Sequence, residues 1–374
     1  MKNLGLYIHV PFCLSKCRYC DFCSFPHPKE ETVKKYISAL NSEIEEYGRQ
    51  YAEYTVNTVY FGGGTPTLLS ADNLTGILKA VKQNFKISED AEITAECNPA
   101  TADTEYFSAM RAEGFNRLSI GVQSMSNREL KLLGRLHSAD DAKKAFMQAR
   151  EAGFENISAD VMFGIPEQSA ESLDKTLEQI MELSPTHISL YGLKIEEGTH
   201  FFKHKDELTL PDEDAEYEMY TSSVKKLLGG GFERYEISNF AKDGYFSRHN
   251  LKYWQREDYL GMGVSAHSCI GNLRFFESDN MENYSEKHRE ITYETISEHD
   301  ILCEKIMLGM RLGRGVDFNE LAQIHGKKAL EYRNALKKFE KDGYVYENQG
   351  SLSFTDKGMY ISNYILSEIL DFEE

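Results

Sequence analysis

The sequence predicts an α/β protein: a partial (β/α)6 TIM-like barrel followed by a smaller, mostly helical, winged-helix-like C-terminal domain. Three observations lead there. Six apolar, β-rich runs alternate with helical stretches through the first half. No strand-to-helix turn carries the GxGxxG of a dinucleotide-binding sheet. The unusual residues of this half fall just after the strands, where barrels assemble their sites.

The strands are read at "LGLYIHV" (4–10), "TVNTVYF" (55–61), "AEITAEC" (91–97), "RLSIGV" (117–122), "NISADVMF" (156–163) and "HISLYGL" (187–193). Helical periodicity fills 30–49, 70–84, 102–113, 126–152 with a break at Gly134, and 168–183. "PFCLSKC" follows the first strand, "GGGTP" the second, and "ECNP", "GVQS" and "DVMFGIP" close the next three. Five such segments in register make a site.

Past residue 200 the rhythm changes. Residues 211–228 read as a helix, and "GGGFERYEISNF" as a glycine-punctuated turn with a short strand. Residues 238–290 are rich in aromatics, Gly, Asn and His. From about 292 the chain is expected to be helical through "YETISEHDILCEKIMLGMRL", "FNELAQIHG" and "ALEYRNALKKFEKDG". A hairpin, "YVYENQGSLSFT", and a last helix at 355–370 follow. The expected division is a barrel at 1–200, a barrel-edge extension at 201–290 and a helical unit at 291–374. The last reads as a packing or lid domain rather than a nucleic-acid reader.

Charge supports that reading. The 374 residues carry a formal charge of −18, which lacks the electrostatic footprint of a nucleic-acid binder and opposes broad adhesion to anionic lipid. No apolar run reaches the roughly 18 residues of a membrane span, and the start does not read as a signal peptide. A cytoplasmic, reducing setting follows, where a disulfide knot among seven cysteines is not expected.

Yet four of the seven fall within "CLSKCRYCDFC" (13–23). Cys13, Cys17 and Cys20 are spaced C-x3-C-x2-C, without the second CxxC knuckle of a structural zinc site. Three close thiolates can hold three irons of a [4Fe–4S] cluster, leaving the fourth iron open to another ligand. Cys23 could complete a four-cysteine metal site, but reads more simply as a nearby free thiol. Cys97, Cys269 and Cys303 read as small buried side chains.

"CLSKCRYC" resembles the radical S-adenosylmethionine superfamily. "YIHVPFC", "YFGGGTPTLL", "ECNP", "RLSIGVQS", "LGRLH", "DVMFGIPEQ", "SLYGLKIEEGT", "YEISNFA" and "HNLKYW" extend the resemblance, over nearly the whole chain, to the oxygen-independent coproporphyrinogen III oxidase family. Within it they look most like the HemW-type haem-chaperone branch. The resemblance implies that S-adenosylmethionine chelates the open iron and is cleaved reductively to a 5′-deoxyadenosyl radical. By residue-wise match, Tyr7 lies near cluster and cofactor, Gly63, Gly64 and Thr65 approach the methionine end, and Arg135 pairs with its carboxylate. Asp160 and Gln123 serve the ribose, and Glu96 the polar ligand groups. His9 shares a strand face with Tyr7, as a structural residue or a member of the site.

The oxidase and chaperone branches make different demands. Oxidases of the family carry CxC after the third cysteine, where this chain has Phe22, and a longer segment before the first strand. The chaperone branch carries "HNLKYW" (249–254). His249 would then be a haem-iron ligand, with Tyr253 and Trp254 at the porphyrin and His267, in "GMGVSAHSC", as the alternative ligand. The favoured expectation is a haem chaperone with a radical-type cluster and S-adenosylmethionine. It would deliver haem to an accepting protein, such as a membrane-associated respiratory protein, from the cytoplasm or the membrane periphery. Its state would be a monomer or a cluster-dependent dimer. The alternatives are a coproporphyrinogen oxidase or other radical enzyme acting on a tetrapyrrole, and a structural four-cysteine metal site.

Overall fold

The computed structural model describes residues 2–372. Strand β1 (Lys2–Val10) alternates strictly: Leu4, Leu6, Ile8 and Val10 are fully buried against the outer helices, while Tyr7 and His9 take the opposite face. The same alternation recurs in β2 (Tyr54–Gly63), β3 (Ile87–Cys97), β4 (Arg117–Gln123), β5 (Asn156–Phe163) and β6 (His187–Gly192). These six run parallel in sequence order, as the barrel reading expects.

The crossovers are α1 (Glu30–Gln50), α2 (Ala71–Asn84), α3 (Thr104–Glu113), a broken pair α4 (Asn127–Leu133) and α5 (Ala139–Glu151), and α6 (Ala170–Glu182). The break comes at Gly134, whose left-handed backbone (φ 74°) ends α4; a Ser138–Asp141 capping box then starts α5. Helix α7 (Glu213–Gly229) follows; β8 (Asn239–Ala241) then pairs antiparallel with β6, and β7 (Glu233–Arg234) pairs antiparallel with β8 at the sheet edge.

The aromatic-rich region is more ordered than its weak periodicity suggests. It forms a short helix, α8 (Arg248–Trp254), then β9 (Tyr259–Met262), which pairs parallel with β1, and the antiparallel β10 (His267–Ile270), β11 (Leu273–Glu277) and β12 (Ile291–Thr295). The result is one open sheet of twelve strands, in the order β12-β11-β10-β9-β1-β2-β3-β4-β5-β6-β8-β7.

Two expectations are corrected at the C-terminal end. Residues 292–295 are strand, not helix, because the β-branched and aromatic run "ITYET" pairs along β11, and the helix begins only where Ser297 caps α9 (Glu298–Gly309). The last helix is two short turns, Asp356–Tyr360 and Ser362–Ser367, separated at Ile361. On one straight helix Met359 and Ile365 would point about 120° apart; the break lets both enter the same apolar cluster. That cluster also takes α10 (Phe318–His325), α11 (Lys327–Lys337) and the hairpin of β13 (Val345–Asn348) and β14 (Ser351–Phe354), the three-helix-and-hairpin unit expected.

One buried carboxylate fastens the β9–β12 extension to the barrel. Glu43 on α1 accepts from the Gly263 amide (2.9 Å), the Tyr284 hydroxyl (2.6 Å) and Arg289 Nη1 (2.7 Å), with its side chain 2% exposed. Glu43→Ala strands the Gly263 amide and the Tyr284 hydroxyl and leaves Arg289 only Glu46 (2.9 Å) and the more distant Glu277 (4.0 Å). It is expected to cost on the order of 3–5 kcal/mol in urea unfolding, whereas a loss within about 0.5 kcal/mol, typical of surface substitutions, would mean that the extension is held elsewhere.

Candidate cluster and cofactor site

The inward faces of the strands are largely polar, and most of their groups pair with one another. Tyr60 on β2 donates to Glu96 Oε1 on β3 (2.9 Å), and Ser119 on β4 donates to both carboxylate oxygens of Asp160 on β5 (2.9 and 3.1 Å). Ser158 lies 3.3 Å from Asp160 and 2.8 Å from His187 Nδ1 on β6. Arg117 is buried below them, its Nε without a hydrogen-bond partner.

Above this layer, at the carboxyl ends of the strands, lies a cavity of about 450 Å³. Cys13, Cys17 and Cys20 line one side; Gly63, Gly64, Thr65, Glu96, Gln123, Arg135 and Asp160 line the rest. The structure thus brings together every residue expected there except Tyr7. That side chain opens into a second cavity, where its hydroxyl meets His9 Nδ1 at 3.0 Å. Cys23 also lines the second cavity and not the first.

The cysteine loop is braced from two sides. The Gly64 amide donates to Val10 O and the Thr65 amide to Phe12 O, both at 2.8 Å, while Thr65 Oγ1 lies 3.7 Å from Cys13 Sγ. A Cβ on Gly64 would fall 2.7–2.9 Å from backbone atoms of Val10 and Phe12, so only glycine allows this approach. On the far side the Arg18 amide donates to Leu133 O (3.0 Å), at the end of α4.

Arg135, just past α4, has Nη1 3.6 Å from Cys17 Sγ and Nη2 2.8 Å from Gly121 O, while its buried Nε has no hydrogen-bond partner. A guanidinium with spare donors beside three thiols fits an anionic group and a metal–sulfur centre in this cavity. Gln123 holds a strained backbone (φ 65°) at an irregularity in the β4–β5 register, and its Oε1 accepts from the Tyr191 hydroxyl at 2.6 Å.

Electrostatics are set chiefly by burial. It pushes Glu96 up to about 7, with the nearby Asp160 charge adding, and it raises Asp160 despite its serine partners. Burial likewise raises the Cys13 thiol, and takes Cys20 to about 11, so both remain protonated until a metal displaces the proton.

The haem candidates separate. His249 is buried: Nδ1 meets Thr58 Oγ1 (2.9 Å), Nε2 meets the Tyr253 hydroxyl (2.8 Å), and the ring stacks on Tyr60 at 5.1 Å. Burial first, then the charges of Lys252 and Arg117, lowers its pKa to about 3. Tyr253 and His267 line the second cavity, and Trp254 lines neither. Sequence reasoning missed Tyr60, Arg117, Ser119 and Tyr191. The available signal was polar residues at alternate positions of otherwise apolar strands.

Residues 7–180 match the radical SAM superfamily, and residues 296–361 match the HemN C-terminal domain. Among solved structures, the fold is similar to that of coproporphyrinogen III oxidase (HemN) from Escherichia coli, with a TM-score of 0.86 and 24% identity, covering 99% of this chain and 90% of that one. Proteins named heme chaperone HemW are similar over most or all of their length. The Bacillus subtilis protein is 33% identical over 97% of this chain and 98% of its own length. The Haemophilus influenzae protein is 32% identical over 100% and 99%. The Escherichia coli protein is 40% identical over 72% and 71%. With a radical SAM-type iron–sulfur module at the barrel mouth and this similarity from end to end, the chain belongs to the HemW family of radical SAM proteins.

Proposed function

We propose that the protein is a haem chaperone: it binds haem beside a [4Fe–4S] cluster held by Cys13, Cys17 and Cys20, and passes the haem to an accepting protein. The observation that carries the cluster assignment is the division of the four cysteines, three at the main cavity and Cys23 at the second. That division leaves one iron without a side-chain ligand, the position S-adenosylmethionine would take. Arg135 would hold its carboxylate, Gly63, Gly64 and Thr65 would flank its methionine end, and Asp160, Gln123 and Glu96 its ribose and remaining polar groups. A cluster so ligated supplies, when reduced, the electron for cofactor cleavage. The chain's own residues orient the cofactor.

Haem carriage is supported by similarity to proteins named heme chaperone HemW and by Phe22, which stands where oxidases of the family carry their CxC cysteine. The acceptor would be a separate protein, such as a membrane-associated respiratory protein, met in the cytoplasm or at the membrane periphery. No described helix is long and apolar enough to cross a membrane. The working division is a barrel at 1–200, an extension from 201 that carries α8 and, beyond the expected 290, also β12, and a C-terminal unit in the remainder.

Anaerobic reconstitution should give about four irons per chain, lost in Cys13→Ala, Cys17→Ala and Cys20→Ala and retained in Cys23→Ala. Iron loss in Cys23→Ala would sink the three-ligand assignment. The reconstituted protein should bind haem saturably and leave coproporphyrinogen III unconverted in the presence of reductant and S-adenosylmethionine; turnover of that substrate would replace the chaperone reading with an oxidase.

Glu96 gives a pH signature. Its folded pKa of about 7, against the usual 4.5, means that the folded chain keeps a proton the unfolded chain has released. The stability linked to this group is therefore full below pH 4.5 and is lost as pH rises through 7. Glu96→Gln should make the apoprotein more stable than wild type at about pH 8, on the order of 1–3 kcal/mol, with the gap closing by about pH 5. Parallel unfolding curves at both pH values would contradict it.

A further inference from the structure

The C-terminal unit holds a cluster of polar side chains that the proposed function leaves unused. In "SEHDILC" (297–303), His299 and Cys303 stand four positions apart on α9, whose start is fixed by the Ser297 cap, so their side chains share one face. Asp371, 72 positions after His299, brings the last part of the chain against that face. One ligand atom from each of the three residues lies within 4.8 Å of the others.

The spacing is that which a metal ion imposes. Tetrahedral zinc, bonded at about 2.3 Å to sulfur and about 2.0 Å to nitrogen and oxygen, sets sulfur and nitrogen ligands about 3.6 Å apart and nitrogen and oxygen ligands about 3.3 Å apart. Here Cys303 Sγ is 3.7 Å from His299 Nε2, and that nitrogen is 3.5 Å from Asp371 Oδ1. Neighbouring groups hold the ligands in place. The Tyr332 hydroxyl, on α11, donates to Asp371 Oδ1 and lies 3.4 Å from Cys303 Sγ, while Lys328 holds Asp371 Oδ2 at 3.3 Å. His299 Nε2 also meets the Asp371 carbonyl oxygen at 2.6 Å, a donation that ends when a metal takes the place of the proton.

Hydrogen bonding alone accounts poorly for this arrangement. A thiol is a weak donor and a weak acceptor, and a buried free cysteine ordinarily behaves as a small hydrophobe. Cys303 is fully buried beside the apolar cluster of this unit, yet its sulfur is turned to an imidazole and a phenol. A soft thiolate with an imidazole and a carboxylate suits zinc, where an all-oxygen set would suit magnesium or calcium. The side chains of His299 and Asp371 are 22% and 64% exposed, so an ion can enter from solvent and water can reach it.

We propose that His299 Nε2, Cys303 Sγ and a carboxylate oxygen of Asp371 bind a zinc ion, with water as the fourth ligand. The ion clasps the last part of the chain to α9, and Tyr332 and Lys328 are positioning residues that orient its thiolate and carboxylate. The site uses none of the residues assigned to cluster and cofactor, and it does not rest on the haem-chaperone reading.

The test uses the full-length chain, reconstituted anaerobically so that iron occupies the loop cysteines, and titrates it with zinc ion in competition with a chromophoric chelator. Wild type should take up about one zinc ion per chain, and X-ray absorption at the zinc edge should show a sulfur neighbour at about 2.3 Å among nitrogen and oxygen. His299→Gln and Asp371→Asn change side chains that reach solvent. Each should weaken zinc binding by more than the roughly tenfold that loss of a supporting group costs, with iron content unchanged as the report of an intact fold. Cys303→Ser should remove the sulfur neighbour from the zinc spectrum. Zinc affinity unchanged in His299→Gln and Asp371→Asn would overturn the assignment. So would a wild-type zinc spectrum without sulfur, or a wild type that takes up no zinc.

Discussion

Every second residue of the six parallel strands points into a barrel, and here those residues are Tyr, Thr, Glu, Ser, Asp, His and Arg. In so enclosed a space each polar group must be paired or costs a few kcal/mol. The chain meets most of this by pairing across neighbouring strands, Tyr60 with Glu96, Ser119 with Asp160, and Ser158 with His187, while Thr94 Oγ1 and Arg117 Nε have no hydrogen-bond partner. Strand register thus controls chemistry: a slip of one residue in any strand would exchange the whole set for aliphatic side chains. The groups proposed to meet a cofactor are held by partners in advance, which is the preorganisation such a site needs.

The cysteine loop depends on the same frame. It is not rigid by composition; it is tied at Thr65 after β2 and at Leu133 on α4. Arg135, set by the turn that ends α4, adds a cation against Cys17. Elements far apart in sequence therefore share one task, and a defect in the α4–α5 break would reach the cluster through two hydrogen bonds.

Much of this was legible in the sequence. The strand–helix rhythm, the break at Gly134 and the post-strand position of the unusual segments follow from periodicity and local backbone preference. The spacing of Cys13, Cys17 and Cys20 is chemistry written in a short stretch. What stayed hidden depends on long-range pairing. Residues 292–295 become strand only because β11 lies alongside. The role of Glu43 depends on partners more than 200 positions away. The partners of His249 are a further case: a motif names an imidazole, while Thr58 and Tyr253, which meet its two nitrogens, come together only in the fold.

Asp21 and Phe22 form a common wall between two chambers, one of them proposed for cluster and cofactor. A partition two residues wide cannot shift on one side without reshaping the other. Thermodynamics makes any such influence mutual: whatever loading the first chamber does to binding in the second, a ligand in the second must do in equal measure to binding in the first.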